Sequence, residues 1–155
     1  MVRTASIEEL RVLIGVASRK ASVMDRLVRV RTDDGLASNL LHLALKVDDS
    51  SHIVSELLHM LPLSVTVDMM CETNNDGLTP LHAVVDECTR EGPLITLSMF
   101  LMRLTKSGMM NALRALSVVD TDKKTPSMRV RRLEVGEKRM HAERLFALAE
   151  KNVFT

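Results

Sequence analysis

Aromatic side chains are nearly missing from this sequence. Its 155 residues include three Phe, no Tyr and no Trp. Folds that read single-stranded nucleic acid stack bases on aromatic platforms, so the composition speaks against that class and against a ligand site built on rings. Cysteine is scarce too. Cys71 and Cys88 cannot make a disulfide framework, which makes a reducing compartment the default, cytoplasmic and/or nuclear. The best apolar run, residues 93–102, is broken by Thr96 and Ser98 and falls short of the roughly 18 residues of a membrane span. Glu8 and Glu9 sit where a secretory signal would be apolar. The same two acids, with Asp25, count against reading the Arg-rich start as a mitochondrial presequence. C-x-x-C, G-x-G-x-x-G and phosphate-loop patterns do not occur, so no cofactor or metal is expected.

What remains is ordinary for a globular chain: 46% apolar and 26% charged residues, with a net charge of +1. Two features stand out. Methionine is abundant, at 11 residues. Charge is segregated: residues 1–31 carry seven basic and three acidic side chains, residues 32–92 two and eleven, residues 121–155 nine and five. A chain of this length can bury roughly 68–70% of its unfolded surface and needs no staple to fold.

Helical periodicity dominates. Ser6 and Glu9 have capping-box spacing, and Ile7, Leu10, Leu13, Ile14 and Ala17 form one apolar stripe over residues 6–20. A shorter helix follows from Ser22 and ends at Asp33-Asp34-Gly35. Asn39 can cap a helix carrying Leu40, Leu41, Leu43 and Ala44. Ser51 caps a second, with Ile53, Val54, Leu57, Leu58 and Leu61, closed by Pro62. Over residues 63–69 the apolar positions alternate strictly, which predicts an extended, half-buried segment. Asn74-Asn75-Asp76-Gly77 is a turn signal. Thr79 then caps a helix with Pro80 at its first position, where no hydrogen bond is lost. A longer helix from Pro93 to about Thr105 is apolar nearly all round. Met109, Met110, Leu113 and Leu116 suggest a further amphipathic turn or two. Thr125-Pro126 starts a basic helix, and a last helix is expected over residues 137–151.

The same unit thus recurs: polar turn, capped inner helix, short break, outer helix. Its openings are Asn39-Leu40-Leu41-His42, Thr79-Pro80-Leu81-His82 and Thr125-Pro126-Ser127-Met128, 40 and 46 residues apart. Periods in this range indicate a stacked helical array. The run Asp76-Gly77-Leu78-Thr79-Pro80-Leu81-His82 resembles the D-G-x-T-P-L-H opening of the ankyrin repeat family. Leu41-His42-Leu43-Ala44 matches its L-H-x-A, and Ile53-Val54-Ser55-Glu56-Leu57-Leu58 its outer-helix I-V-x-x-L-L. The chain departs from the family in its long periods, in Lys123 at the tip-glycine position, and in Met128 where the histidine belongs. A HEAT or armadillo array has the right period but does not predict T-P-L-H.

The resemblance implies an all-α, ankyrin-like helical-hairpin solenoid. It would comprise an N-terminal helical cap (residues 6–31) and three units (33–75, 76–119 and 120–151). Gly77, Thr79, Pro80, Leu81, His82 and His42 would be structural. It also implies a role rather than a reaction: binding a protein partner, as scaffold, adaptor or inhibitor, through turn tips and the inner-helix surface. The tips carried over by position are Asp33, Asp34, Asn74, Asn75, Asp76, Asp122 and Lys123. The inner-helix positions expected to be exposed are Leu43, Lys46, Val47, Ala83, Asp86, Glu87, Arg129 and Arg132. The long first unit followed by T-P-L-H about 40 residues on also looks like the inhibitors of Rel/NF-κB transcription factors.

Other readings were weighed on the residues. Cys71 or Cys88 with His82 could form a nucleophile–base pair of a small Cys/His enzyme, but no nucleophile motif surrounds either thiol. His52 and His59 share a helix face two turns apart, too far for one metal. The basic run Arg129, Arg131 and Arg132 could meet phosphates; interspersed Glu134, Glu137 and Glu143 favour an acidic protein over nucleic acid. Met109, Met110 and Leu113, in the segment that stretches the second period, could dock a partner, since Met repacks at low cost. The apolar 93–116 region could instead close a homodimer.

Overall fold

A computed structural model of the chain describes residue 12 and residues 39–45, 50–88 and 91–154. Residue 12 apart, the expected N-terminal cap lies outside the described residues, as do Asp33, Asp34, Lys46 and Val47. Those described are helical: α1 (Leu40–Ala44), α2 (Ser50–Met60), α3 (Leu63–Cys71), α4 (Pro80–Asp86), α5 (Glu91–Lys106), α6 (Met109–Leu116), α7 (Pro126–Arg129), a 3₁₀ turn (Val130–Arg132) and α8 (Glu137–Phe154). The all-α class follows, with no strand among the described residues.

Each of the short helices α1, α4 and α7 begins with a side-chain cap. The side chains of Asn39, Thr79 and Thr125 accept from the backbone N–H three residues on, which belongs to His42, His82 and Met128. Such caps satisfy donors that the first helical turn leaves orphaned. Helix α2 buries Ile53, Val54, Leu57 and Leu58, a stripe at helical spacing. Helix α5 buries Leu94, Leu97, Phe100, Leu101 and Leu104 and turns Ile95 and Met102 outward.

The expectation of an extended segment over residues 63–69 is overturned. Residues Leu63–Cys71 form a helix, and its buried side chains are Thr66, Val67, Met69 and Met70. That set has the i, i+1, i+3, i+4 spacing of a helix face. The alternation misled because polar Thr66 is fully buried: its hydroxyl donates to the Pro62 carbonyl at 3.1 Å, one helical turn back. A hydroxyl satisfied within its own helix packs like an apolar group.

The helices pack in a regular way. Helix α5 lies against α2 and against α8; α4 lies against α1 and against α7 with its 3₁₀ extension; α3 lies against α6. Helix α4 also packs on α5, and α6 on α5 and α8. One continuous apolar core runs through them, α7 excepted, from Leu40 and Leu41 through Phe100 to Phe146 and Ala149. Among the described residues no helix is long and apolar enough to cross a membrane.

Candidate interaction surface

Two turns organise the inner side of the molecule, and they are built alike. In the first, Asn74 N–H donates to the Leu78 carbonyl at 2.9 Å, while Asn74 Oδ1 accepts from the N–H groups of Asp76 and Leu78. In the second, Asp120 N–H donates to the Lys124 carbonyl at 2.9 Å, and Asp120 Oδ1 accepts from Asp122 and Lys124. The fourth residue of each turn has positive φ: Gly77 at 77° and Lys123 at 60°. Lys123 therefore completes the turn without the glycine, at the steric cost of a left-handed lysine.

A histidine ties each turn to a helix, α1 to the first and α4 to the second. His42 Nε2 lies 2.7 Å from the Leu78 carbonyl, and His82 Nε2 lies 2.9 Å from the Lys124 carbonyl. At its other nitrogen, His82 meets the Thr79 N–H and hydroxyl at 3.2 and 2.8 Å. Nδ1 thus accepts and Nε2–H donates, which fixes the neutral tautomer. Burial pushes the His82 pKa below its ordinary value, against the opposing pull of the Lys124 carbonyl and Asp120. In α7, Met128 stands where His42 and His82 stand in α1 and α4, three residues after the cap, and is half exposed.

Arg129 is a further connection. It was expected on the exposed inner surface and is instead buried, because two carboxylates enclose its guanidinium. Nη1 donates to Asp120 Oδ2 at 2.6 Å, Nε to Asp86 Oδ1 at 3.0 Å, and Nη2 to Asp86 Oδ2. Burial works against charging Asp120. The backbone N–H of Lys124, Arg129 and the N–H of Asp122 outweigh it and hold the carboxyl below its usual pKa. Leu43 is likewise buried rather than exposed, in the face that α1 turns toward its neighbours.

The remaining sequence-predicted residues fall in three places. Asn74 spends its polar atoms on its turn, whereas Asn75 and Asp76 are exposed at the tip. Glu87 and Arg132 are exposed near the inner helices, Arg132 paired with Asp122. Met109 and Met110 are 52% and 74% exposed and Leu113 is half-buried on α6, whose packing partners are α3, α5 and α8. The structure thus gathers the T-P-L-H residues with the tips and leaves the methionines on a different set of helices.

The two thiols have little nucleophilic character. Cys88 is fully buried, its Sγ donates to the Val84 carbonyl at 3.2 Å, and burial pushes its pKa up to about 12. Burial also raises Cys71, with Arg114 opposing. His82, the expected base for either thiol, spends Nδ1 on Thr79 and Nε2 on the Lys124 carbonyl, and His52 meets Glu56 on its own helix at 3.1 Å.

Sequence reading overlooked two depressions. One, of about 290 Å³, is lined by Lys124, Ser127, Met128 and Arg131. The other, of about 150 Å³ and mostly apolar, runs between α5 and α8 past Leu101, Met102, Leu145 and Leu148. The first was marked by Met128, an apolar residue among cations at the position of a core histidine. Compared with models of protein families, with curated proteins and with solved structures, the chain finds no match.

Proposed function

We propose that the chain is an ankyrin-like stack of helical hairpins that binds another protein and catalyses nothing. Unit 1 contributes α1, α2 and α3; unit 2 contributes α4, α5 and α6; unit 3 contributes α7, the 3₁₀ turn and α8. One observation carries the reading. The bond from His42 to Leu78 is repeated from His82 to Lys124, so the same contact joins each unit to the next. The helix pairings agree with it: α1, α4 and α7 form one row, α2, α5 and α8 a second, and α3 with α6 a third. In such arrays each unit touches only its neighbours and presents a long preformed surface. Rigid turns lose little entropy on docking, which favours a binding role. The raised thiols and the two engaged nitrogens of His82 support a non-catalytic chain.

The test compares two faces of the folded chain. Asp76→Lys alters a turn tip; Met109→Glu with Met110→Glu alters α6. Affinity capture read by mass spectrometry should recover a protein partner with the natural chain and lose it with Asp76→Lys, at an unchanged melting temperature. Loss with the methionine variant alone would move the surface to α6. Recovery of no protein by the natural chain would sink the binding reading.

A further inference from the structure

The four cations of residues 124–132 divide into two sets. Arg129 is neutralised by Asp120 and Asp86, and Arg132 by Asp122. Lys124 and Arg131 have no carboxylate partner among the described residues. Both line the 290 Å³ depression, with Ser127 and Met128 between them and no acidic side chain in its wall. Met128 is half exposed there, where the preceding units carry a buried histidine.

We propose that this depression receives an acidic segment of the protein partner, two carboxylates meeting Lys124 and Arg131 while an apolar side chain lies on Met128. The proposal rests on the binding reading above and specifies the chemistry of what is bound. Charge complementarity favours a carboxylate-bearing occupant. The internal ion pairs consume every other cation of α7 and its 3₁₀ extension, so the free charge is concentrated at the rim of the depression. Met128 supplies an adaptable apolar floor, because its unbranched thioether repacks around side chains of different shape. The Ser127 hydroxyl, 3.3 Å from that of Thr125, is half-buried beside it and can bond a peptide carbonyl. Nucleic acid fits less well. Two lining cations are too few to follow a phosphate backbone, and Phe100 and Phe146 are buried and cannot stack on bases.

The probe is a fluorescein-labelled synthetic peptide with a central leucine flanked on both sides by aspartates, titrated with the full chain and followed by anisotropy. A second peptide replaces every aspartate by asparagine. The aspartate peptide should bind and the asparagine peptide should not. Lys124→Glu with Arg131→Glu should weaken binding at least about tenfold, since each reversal turns an attraction into a repulsion. Binding should also fall as salt shortens the screening length from about 10 Å at 0.1 M to about 3 Å at 1 M. Met128→Ser should weaken it by a smaller factor. All three substituted sites are exposed, and circular dichroism checks that the variants fold.

Equal binding by the charge-reversed chain, or displacement of the peptide by a short single-stranded oligonucleotide at lower concentration, would overturn the proposal. Lysate capture, run in parallel, tells this failure apart from failure of the binding reading. A partner retained by the charge-reversed chain leaves the reading intact and refutes this surface. A natural chain that captures no protein refutes the reading itself.

Discussion

The turns at residues 74–78 and 120–124 make the same hydrogen bonds from different residues, and the differences are instructive. At the left-handed position the first uses Gly77 and the second Lys123. Glycine serves the first turn twice. Its φ of 77° suits a residue without Cβ, and a Cβ there would lie 2.8 Å from Thr121 Cγ2 of the second turn. Lys123 is exposed, so only the dihedral matters and a lysine is tolerated. The organising residue differs as well. Asn74 is neutral and needs no counter-charge. Asp120 offers the same accepting oxygen but adds a buried charge, and Arg129 answers it. A single change of side-chain chemistry in one turn thus determines why an arginine four residues into the next helix region is drawn inside.

Four tests would sharpen that contrast. The largest effect is expected at Arg129. Arg129→Ala leaves the buried Asp120 carboxylate unpaired and should cost about 3–5 kcal/mol in urea unfolding; a loss below about 1 kcal/mol would mean that water satisfies Asp120 instead. Gly77→Ala should follow, at about 2–3 kcal/mol, combining the left-handed penalty with displacement of Thr121. The corresponding Lys123→Ala should be nearly neutral in the same assay, because the penalty is already present.

Acid provides the third test. His82 binds its proton less readily in the folded chain than in the unfolded one. Its contribution is therefore complete above about 6.5 and is lost as the pH falls from there through the depressed folded value, at no more than about 1.4 kcal/mol per pH unit. Asp120 acts in the same direction at lower pH, its contribution present above about 3.8. His82→Gln should flatten the stability profile between pH 7 and 5, and an unchanged slope would remove His82 from the account. The smallest effect is a gain. Lys123→Gly should raise stability by about 0.5–1 kcal/mol, the relief of φ less the extra entropy of an unfolded glycine.

Much of this arrangement was legible in the residues. Thr79-Pro80-Leu81-His82 specifies its cap, its helix start and its buried face within four positions. The apolar stripe of α2 and the burial of α5 follow from helical spacing. The failures have physical causes. Residues 63–69 alternate like a strand because Thr66, polar on paper, hides its hydroxyl in its own helix. Arg129 was placed outside because its two acids lie 9 and 43 residues away in sequence. Nothing local announces such a pairing. The depression at Met128 escaped notice for a related reason: it forms only once Lys124 and Arg131 are brought around the same short helix.

Helices α1, α4 and α7 hold five, seven and four residues. Isolated segments of that length barely populate a helical state in water, since nucleation outweighs the few bonds gained. Their order is borrowed from the longer helices they pack on and, for α4 and α7, from the histidine bonds to the Leu78 and Lys124 carbonyls just before them. Loss of the His42 contact should therefore loosen α1 and α4 together, and amide exchange at Leu43 and Ala83 would report the opening as one shared event.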